Sequence, residues 1–392
     1  MRLPQFMKSA LGQCLSASRR LKSLAGFGPS EQSSAPPSAA ASRGSVTHVI
    51  IFDGTMSSLD EGYETNAGIT FRMLSEMAPS KAMSLRYEAG IQWKGFRRAM
   101  DVLAGVGINE QIRAAYGFLA SRYQPGDRIF FFGFSRGAYA VRSLAGVIDK
   151  VGLLRADCAT ERNVRQAYRH YRLGPDSAAA AAFHDAHCHA QTPIEMIGVW
   201  DTVRALGFRA PVLWRFSPEE HSFHSHHLGR SVRNGFQALA LNETRKAYEP
   251  VLWESRDDHE GALVQMWFPG SHSDVGGHLN GVYEARKLAN IPLVWMLERA
   301  EHCGLPLPQS WQARLPTDVN ARSVGTFRGL TRFFLQRRAR KVGLDASETL
   351  HPSVAQRRRG LTLRLPWVSR PDLSRLQRHE LSEQREAVTR SP

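Results

Sequence analysis

Gly133-Phe134-Ser135-Arg136-Gly137 is the stretch of this 392-residue sequence best suited to chemistry. It has the G-x-S-x-G form of a sharp strand-to-helix turn, in which the serine takes strained backbone angles and its hydroxyl is pushed outward. The flanking glycines keep side chains out of the crossing. The surroundings suit such a turn, since Asp127-Arg128-Ile129-Phe130-Phe131-Phe132 reads as an apolar strand leading in and Gly137 to Val151 as a helix leading out. An ordinary buried strand followed by a small-residue helix start is the plainer reading of the same residues.

A serine hydroxyl is a weak nucleophile until a base takes its proton, so a histidine and an orienting carboxylate must be found. In folds with this elbow they follow in the order Ser, Asp or Glu, His. Asp201 directly follows the apolar run Ile194 to Trp200, which would put it at the carboxyl edge of a sheet; a helix N-cap is the alternative. His272 lies in Pro269-Gly270-Ser271-His272-Ser273-Asp274-Val275-Gly276-Gly277, a loop whose glycines would let an imidazole enter without crowding. An oxyanion needs two backbone N–H donors. Arg136, immediately after the serine, is one candidate; Gly54 in Asp53-Gly54-Thr55 is the other, with Thr55 second and a plain β-turn as the alternative.

Other residues compete for attention. His351 is a rival base, although it follows no clear strand. His187-Cys188-His189 and the run His221 to His227 invite a metal reading, but the first has no second cluster at zinc-like spacing and the second reads as a solvated loop, so no metal or cofactor is expected. Phe208, Val212, Leu213, Trp214 and Phe216 lie between the candidate acid and base and read either as a lid or as core under a long loop.

These residues need a scaffold. Val49-Ile50-Ile51-Phe52, Ile129 to Phe132, Ile194 to Trp200 and Leu263 to Phe268 read as strands. Asn66 to Met77, Asn109 to Tyr123 and Val282 to Cys303 read as helices. Continuous apolar runs suit strands buried on both faces of a parallel sheet. Strands alternating with helices predict an α/β fold with a mainly parallel central sheet. The expected organisation is a basic, Ser/Pro/Ala-rich tail over residues 1–45, a catalytic domain over 46–310 and a basic extension over 311–392.

The chain carries 51 Lys+Arg against 36 Asp+Glu, formally +15. Residues 311–392 hold 17 basic and 7 acidic residues, and Phe327 to Lys341 reads as a basic amphipathic helix. Such charge predicts an anionic partner. With no helix-turn-helix, RRM or zinc-finger pattern, nucleic acid is disfavoured against a lipid surface. Four dispersed cysteines predict a reduced, cytoplasm-made protein. No run approaches the ~18 apolar residues of a membrane span. The acid-free Met1 to Gly28 lacks the apolar core of a secretory signal and reads as a disordered tail, a transit peptide or a membrane-surface segment.

Taken together, Phe52-Asp53-Gly54-Thr55, Gly133 to Ala138, Val199-Trp200-Asp201-Thr202-Val203, Ala238 to Arg245, Pro250 to Trp253 and Ser271 to Gly277 resemble an uncharacterised-domain family of α/β-hydrolases. That family includes phospholipase effectors of bacterial type VI secretion. The resemblance runs in order from about Val46 to Ala300. It implies ester hydrolysis by Ser135, Asp201 and His272 without a redox cofactor, phospholipase A activity for some members, and a secretion or immunity partner for an effector exported without a signal peptide. The sequence departs from the family where Gly54-Thr55 continues Met56-Ser57 rather than Gly-Asn, at the second oxyanion donor. A soluble small-molecule esterase, or a non-enzymatic membrane- or nucleic-acid-binding module on a hydrolase scaffold, is the alternative.

Overall fold

The computed structural model describes residues 43–78, 80, 82–90, 107–203, 226–327 and 336–357. Seven strands form one sheet: β1 (Thr47–Phe52), β2 (Met83–Glu88), β3 (Arg128–Phe134), β4 (Ile194–Trp200), β5 (Val232–Ala240), β6 (Leu263–Phe268) and β7 (Glu348–Leu350). Their order is β2-β1-β3-β4-β5-β6-β7, and every pairing is parallel. The helices are α1 (Asn66–Met77), α2 (Ile108–Ala120), α3 (Arg136–Val151), α4 (Glu161–Leu173), α5 (Ala178–His187), α6 (His272–Gly276), α7 (Arg286–His302) and α8 (Ser353–Gln356).

The apolar runs fill both faces of this sheet because successive side chains point to opposite sides. On one face, Ile50 and Phe52 of β1 and Ile129 and Phe131 of β3 pack with residues of α2, α3 and α4. On the other, Val49 and Ile51 of β1 and Phe130, Phe132 and Phe134 of β3 pack with residues of α1 and α7. The fold is thus the α/β, α/β-hydrolase-like architecture that the sequence predicts. The chain runs from β1 to β2 in one direction and from β3 to β7 in the other. The reversal falls between the carboxyl ends of β1 and β3, the usual position of a site in such sheets.

Differences from the sequence reading have local causes. The long helix expected over Val282–Cys303 is α7, preceded by one 3₁₀ turn at Tyr283–Ala285. In β5, buried Val232 is followed by exposed Arg233 and half-buried Asn234, and Arg233 pairs with Glu195 at 2.8 Å, so its amino end does not read as a buried strand. β2 lies at the sheet edge, where Met-Ser-Leu-Arg-Tyr-Glu alternates apolar and polar. Gln336 to Lys341 is extended, not helical: Arg337 bridges Arg245 antiparallel, and Arg338 N donates to Thr244 O at 2.8 Å. Residues 1–42, the lid candidates at 208–216, His221 to Ser225, residues 328–335 and residues 358–392 lie outside the described residues. Among the described residues no helix is long and apolar enough to cross a membrane.

Helix α3 crosses the end of β1 at close range. A Cβ on Gly137 would sit 2.3 Å from Phe52 O and 2.5 Å from Asp53 O, both backbone atoms that cannot step aside. Gly137→Ala is therefore expected to cost about 1–3 kcal/mol by overpacking. Gly117→Ala, whose nearest atom is a Val164 methyl at 3.5 Å in the middle of α2, should be neutral or mildly stabilising. Urea unfolding midpoints compare the two; equal midpoints would refute the crossing as the reason for Gly137.

Candidate active site

Ser135 stands between β3 and α3 at φ 57° and ψ −119°. A side chain seldom adopts such angles, and here the surroundings fix them. Ser135 N donates to Trp200 O at 3.0 Å, tying the turn to β4, and Ser135 O accepts from Tyr139 N at 3.3 Å. Gly133 is required because a Cβ there would lie 2.6 Å from Ala138 Cα. As the first residue of α3, Arg136 has a backbone N–H that no intrahelical carbonyl can accept.

Asp201 follows β4 directly, at φ 45°. It is wholly buried. Its N donates to Ala238 O at 2.8 Å, and its Oδ1 accepts from Ala240 N at 2.9 Å, so β5 braces it from both ends. His272 opens α6, behind the N-cap Ser271. Ser271 and Asp274 form a capping box, and Asp274 also accepts from Ser323 Oγ at 2.6 Å and Val324 N at 2.7 Å. His272 N in turn donates to Glu243 Oε2 at 3.2 Å.

The three side chains meet in one line. His272 Nδ1 lies 2.5 Å from Asp201 Oδ2, and His272 Nε2 lies 2.9 Å from Ser135 Oγ. An ionised carboxylate can only accept, so Nδ1 carries the proton and Nε2 is left to accept from the serine hydroxyl. Phe134 and Tyr248 bring rings within 4.9 and 4.7 Å of the imidazole centre. His351, the rival base, stacks instead on Phe268 at 4.6 Å and binds Ser353 Oγ at 2.8 Å through Nδ1.

Two buried arginines that the sequence reading did not single out organise this line. Arg340 lays a fork on Asp201, Nη1 to Oδ1 at 2.5 Å and Nη2 to Oδ2 at 2.8 Å. Its other two terminal N–H groups reach Ala240 O at 2.9 Å and Tyr248 O at 2.5 Å. Burial works to raise the Asp201 carboxyl, but Arg340, followed by His272, overcomes it and holds the group well below the usual carboxylate range. Arg245 forms a second fork, on buried Glu243, at 2.8 and 2.6 Å, and its guanidinium lies over Tyr248 at 4.1 Å. Burial again opposes ionisation of Glu243, and Arg245 again wins. Arg340 sits within a run of arginines that gives no sign of which is buried. Glu243 and Arg245, placed straight after an apolar strand end, did carry a signal, since charges so placed are seldom left unpaired.

The Gly54 N–H is given to the Asp53 carboxylate at 2.6 Å. The next N–H, Thr55, has no acceptor among the described residues. Among the described residues no three His, Cys, Asp or Glu side chains converge as metal ligands. His187 and His189 turn to different aromatics, Phe183 at 4.9 Å and Tyr123 at 5.1 Å.

Set beside known proteins, residues 47–299 match the model of the type VI secretion Tle1-like phospholipase effector catalytic domain. An uncharacterized protein of Saccharomyces cerevisiae, YEL023C, is 33% identical over 235 residues, covering 52% of this chain and 34% of its own length. The solved structure of the Tle1 effector bound to the VgrG spike from the type 6 secretion system shares 18% identity, with a TM-score of 0.34, over 60% of this chain and 51% of that one. The chain thus spans about a third of the yeast relative and about half of the effector chain.

Asp53 holds the loop beyond β1. Its carboxylate accepts from Tyr87 OH at 2.6 Å, from Thr65 Oγ1 at 2.7 Å and from Gly54 N. Burial nonetheless pushes it up to about 6 from an ordinary 3.8, against those donors. The folded chain thus keeps a proton that the unfolded chain has lost. The stabilisation this gives is complete below 3.8 and disappears as pH rises through about 6. Between about pH 5 and about 7.5, wild type should lose about 1 kcal/mol more stability than Asp53→Asn. Urea titrations of both proteins at both pH values test this; parallel losses would place the titration on another group.

Proposed function

The chain belongs to the Tle1-like phospholipase effector catalytic-domain family of type VI secretion, and from that premise we propose that it hydrolyses a carboxylic ester of a phospholipid through Ser135, His272 and Asp201. The observation that carries this reading is the unbroken line from Ser135 Oγ through His272 to Asp201, at 2.9 and 2.5 Å, at the carboxyl edge of a parallel sheet.

The proposed reaction follows from the hydrogen bonds. Ser135 Oγ attacks the acyl carbonyl as His272 Nε2 takes its proton, and Asp201 holds and stabilises the imidazolium at Nδ1. The negative charge that develops on the carbonyl oxygen is received by the Arg136 N–H at the head of α3. Because the Gly54 N–H is engaged by Asp53, the second donor is assigned to Thr55, one residue on. His272 then returns the proton to the leaving alcohol, the lysolipid. Water, deprotonated by the same imidazole, frees the fatty acid and restores Ser135.

Family membership supports export by a secretion-system carrier without a signal peptide, with an immunity protein to guard the producer. The net charge of +10 over residues 311–392 suits an anionic lipid surface, each Lys or Arg near the headgroups contributing about 1 kcal/mol.

Hydrolysis of phosphatidylethanolamine and phosphatidylglycerol vesicles, beside a short-chain soluble ester, tests the proposal. Ser135→Ala should lose at least about a thousandfold in kcat on vesicles with an unchanged melting temperature. Turnover of the soluble ester alone would move the function to a small-molecule esterase. Full activity in Ser135→Ala would end the serine mechanism.

A further inference from the structure

Arg340 lies outside the residues that the family model matches, 47–299, yet it touches the candidate triad directly. The extended segment that carries it is fastened in register beside the loop after β5. Lys246 N donates to Gln336 O at 3.0 Å and Arg338 N to Thr244 O at 2.8 Å, while Arg337 Nη1 donates to Thr244 Oγ1 at 3.1 Å. The segment leads on to β7, so it is fastened to the loop after β5 at one end and to the sheet at the other. The fork is therefore held rigidly, with all four terminal N–H groups engaged and the side chain 4% exposed.

The two oxygens of Asp201 are divided among partners from different parts of the chain. Oδ2 faces His272 Nδ1 and Arg340 Nη2; Oδ1 faces Arg340 Nη1 and Ala240 N. The carboxylate plane is thereby fixed by the guanidinium fork, not by the imidazole it must orient. A planar, always-charged fork does this in a way an ammonium cannot.

We propose that Arg340 is a positioning residue of the Ser135–His272–Asp201 line, an appended basic residue that fixes the Asp201 carboxylate in the plane of the imidazole and keeps it ionised. The proposal rests on the reading of Ser135 as nucleophile. It assigns one arginine of the basic C-terminal region to the chemistry itself, where charge counting alone gave the whole region to an external partner. The titratable and charged groups facing Asp201 are His272 from α6, Arg340 from the C-terminal segment and, one step further, the Glu243–Arg245 pair from the loop after β5.

The test uses the full chain as wild type, Arg340→Ala, Arg340→Lys and Ser135→Ala, with kcat and KM measured across pH and normalised to the folded fraction by circular dichroism. In Arg340→Ala, kcat should fall about 10- to 100-fold, with KM changed less than about threefold, as for other residues that orient a catalytic ligand. Removing the cation lets the carboxyl take its proton at higher pH, so the acid limb of kcat/KM should move upward. Millimolar guanidinium should restore part of the lost rate in Arg340→Ala and none in wild type. Arg340→Lys keeps the charge but not the fork, and should lie between the two with a smaller movement of the acid limb; it also carries the test if Arg340→Ala does not fold. Activity per folded molecule within about twofold of wild type, with an unmoved acid limb, would overturn the proposal. So would a loss that only follows the unfolded fraction. Ester hydrolysis retained by Ser135→Ala would instead remove the nucleophile reading on which the proposal stands.

Discussion

A carboxylate withdrawn wholly from water must be given cations and N–H donors, or it takes up a proton. Asp201 is in that position, and most of the site's architecture answers its demands. The Ala240 N–H comes from β5, the imidazole from the loop after β6, and the guanidinium fork from the segment before β7. The parallel sheet brings the first two together because β4, β5 and β6 end on the same edge, and the segment that later runs into β7 is held there by the loop after β5. Loops that are far apart in sequence become neighbours there without any of them needing to be long. The Glu243–Arg245 pair repeats the arrangement one layer out, where Glu243 holds the His272 backbone and Arg245 lies over the ring beside the imidazole.

Much of this was legible in the sequence, for identifiable reasons. β3, β4 and β6 are apolar along most of their length because both faces of the sheet are covered; β3 and β4 run directly into Ser135 and Asp201, and β6 ends four residues before His272. The elbow was legible because only glycine tolerates its crossings, at Gly133 and Gly137. β5 was obscured by a polar amino end and by Gln237. That glutamine is buried, accepting from Thr202 Oγ1 at 2.7 Å and donating to Val251 O at 3.1 Å. A buried amide is stable only when such partners exist, and partners from other loops cannot be read from spacing. Arg340 was hidden for the opposite reason, standing among arginines that look alike until the fold chooses one.

The formal charge of +15 takes on a different meaning in the structure. Arg142, Arg245 and Arg340 are all buried among the described residues. Arg142 donates to Val251 O and Leu252 O, and its guanidinium lies over the Trp253 ring at 4.4 Å. Burial lowers Arg142 to about 9, so even this strong base is disfavoured as a cation inside. These three hold loops to the sheet by binding carbonyls and carboxylates, and they are withdrawn from the surface that an approaching anion would touch. A positive composition is thus shared between internal fastening and the outer surface.

The order of the chain gives the Arg340–Asp201 contact a temporal side. The two residues are 139 positions apart, and Ser135, Asp201 and His272 all leave the ribosome before Arg340 does. A nascent chain that has completed β1 to α6 already holds Ser135, Asp201 and His272, but Asp201 still lacks the guanidinium. Only when residues 336–350 have been made can β7 dock beside β6 and the fork close on Asp201. The charge arrangement of the line is completed last, by a part of the chain translated after everything else the line requires.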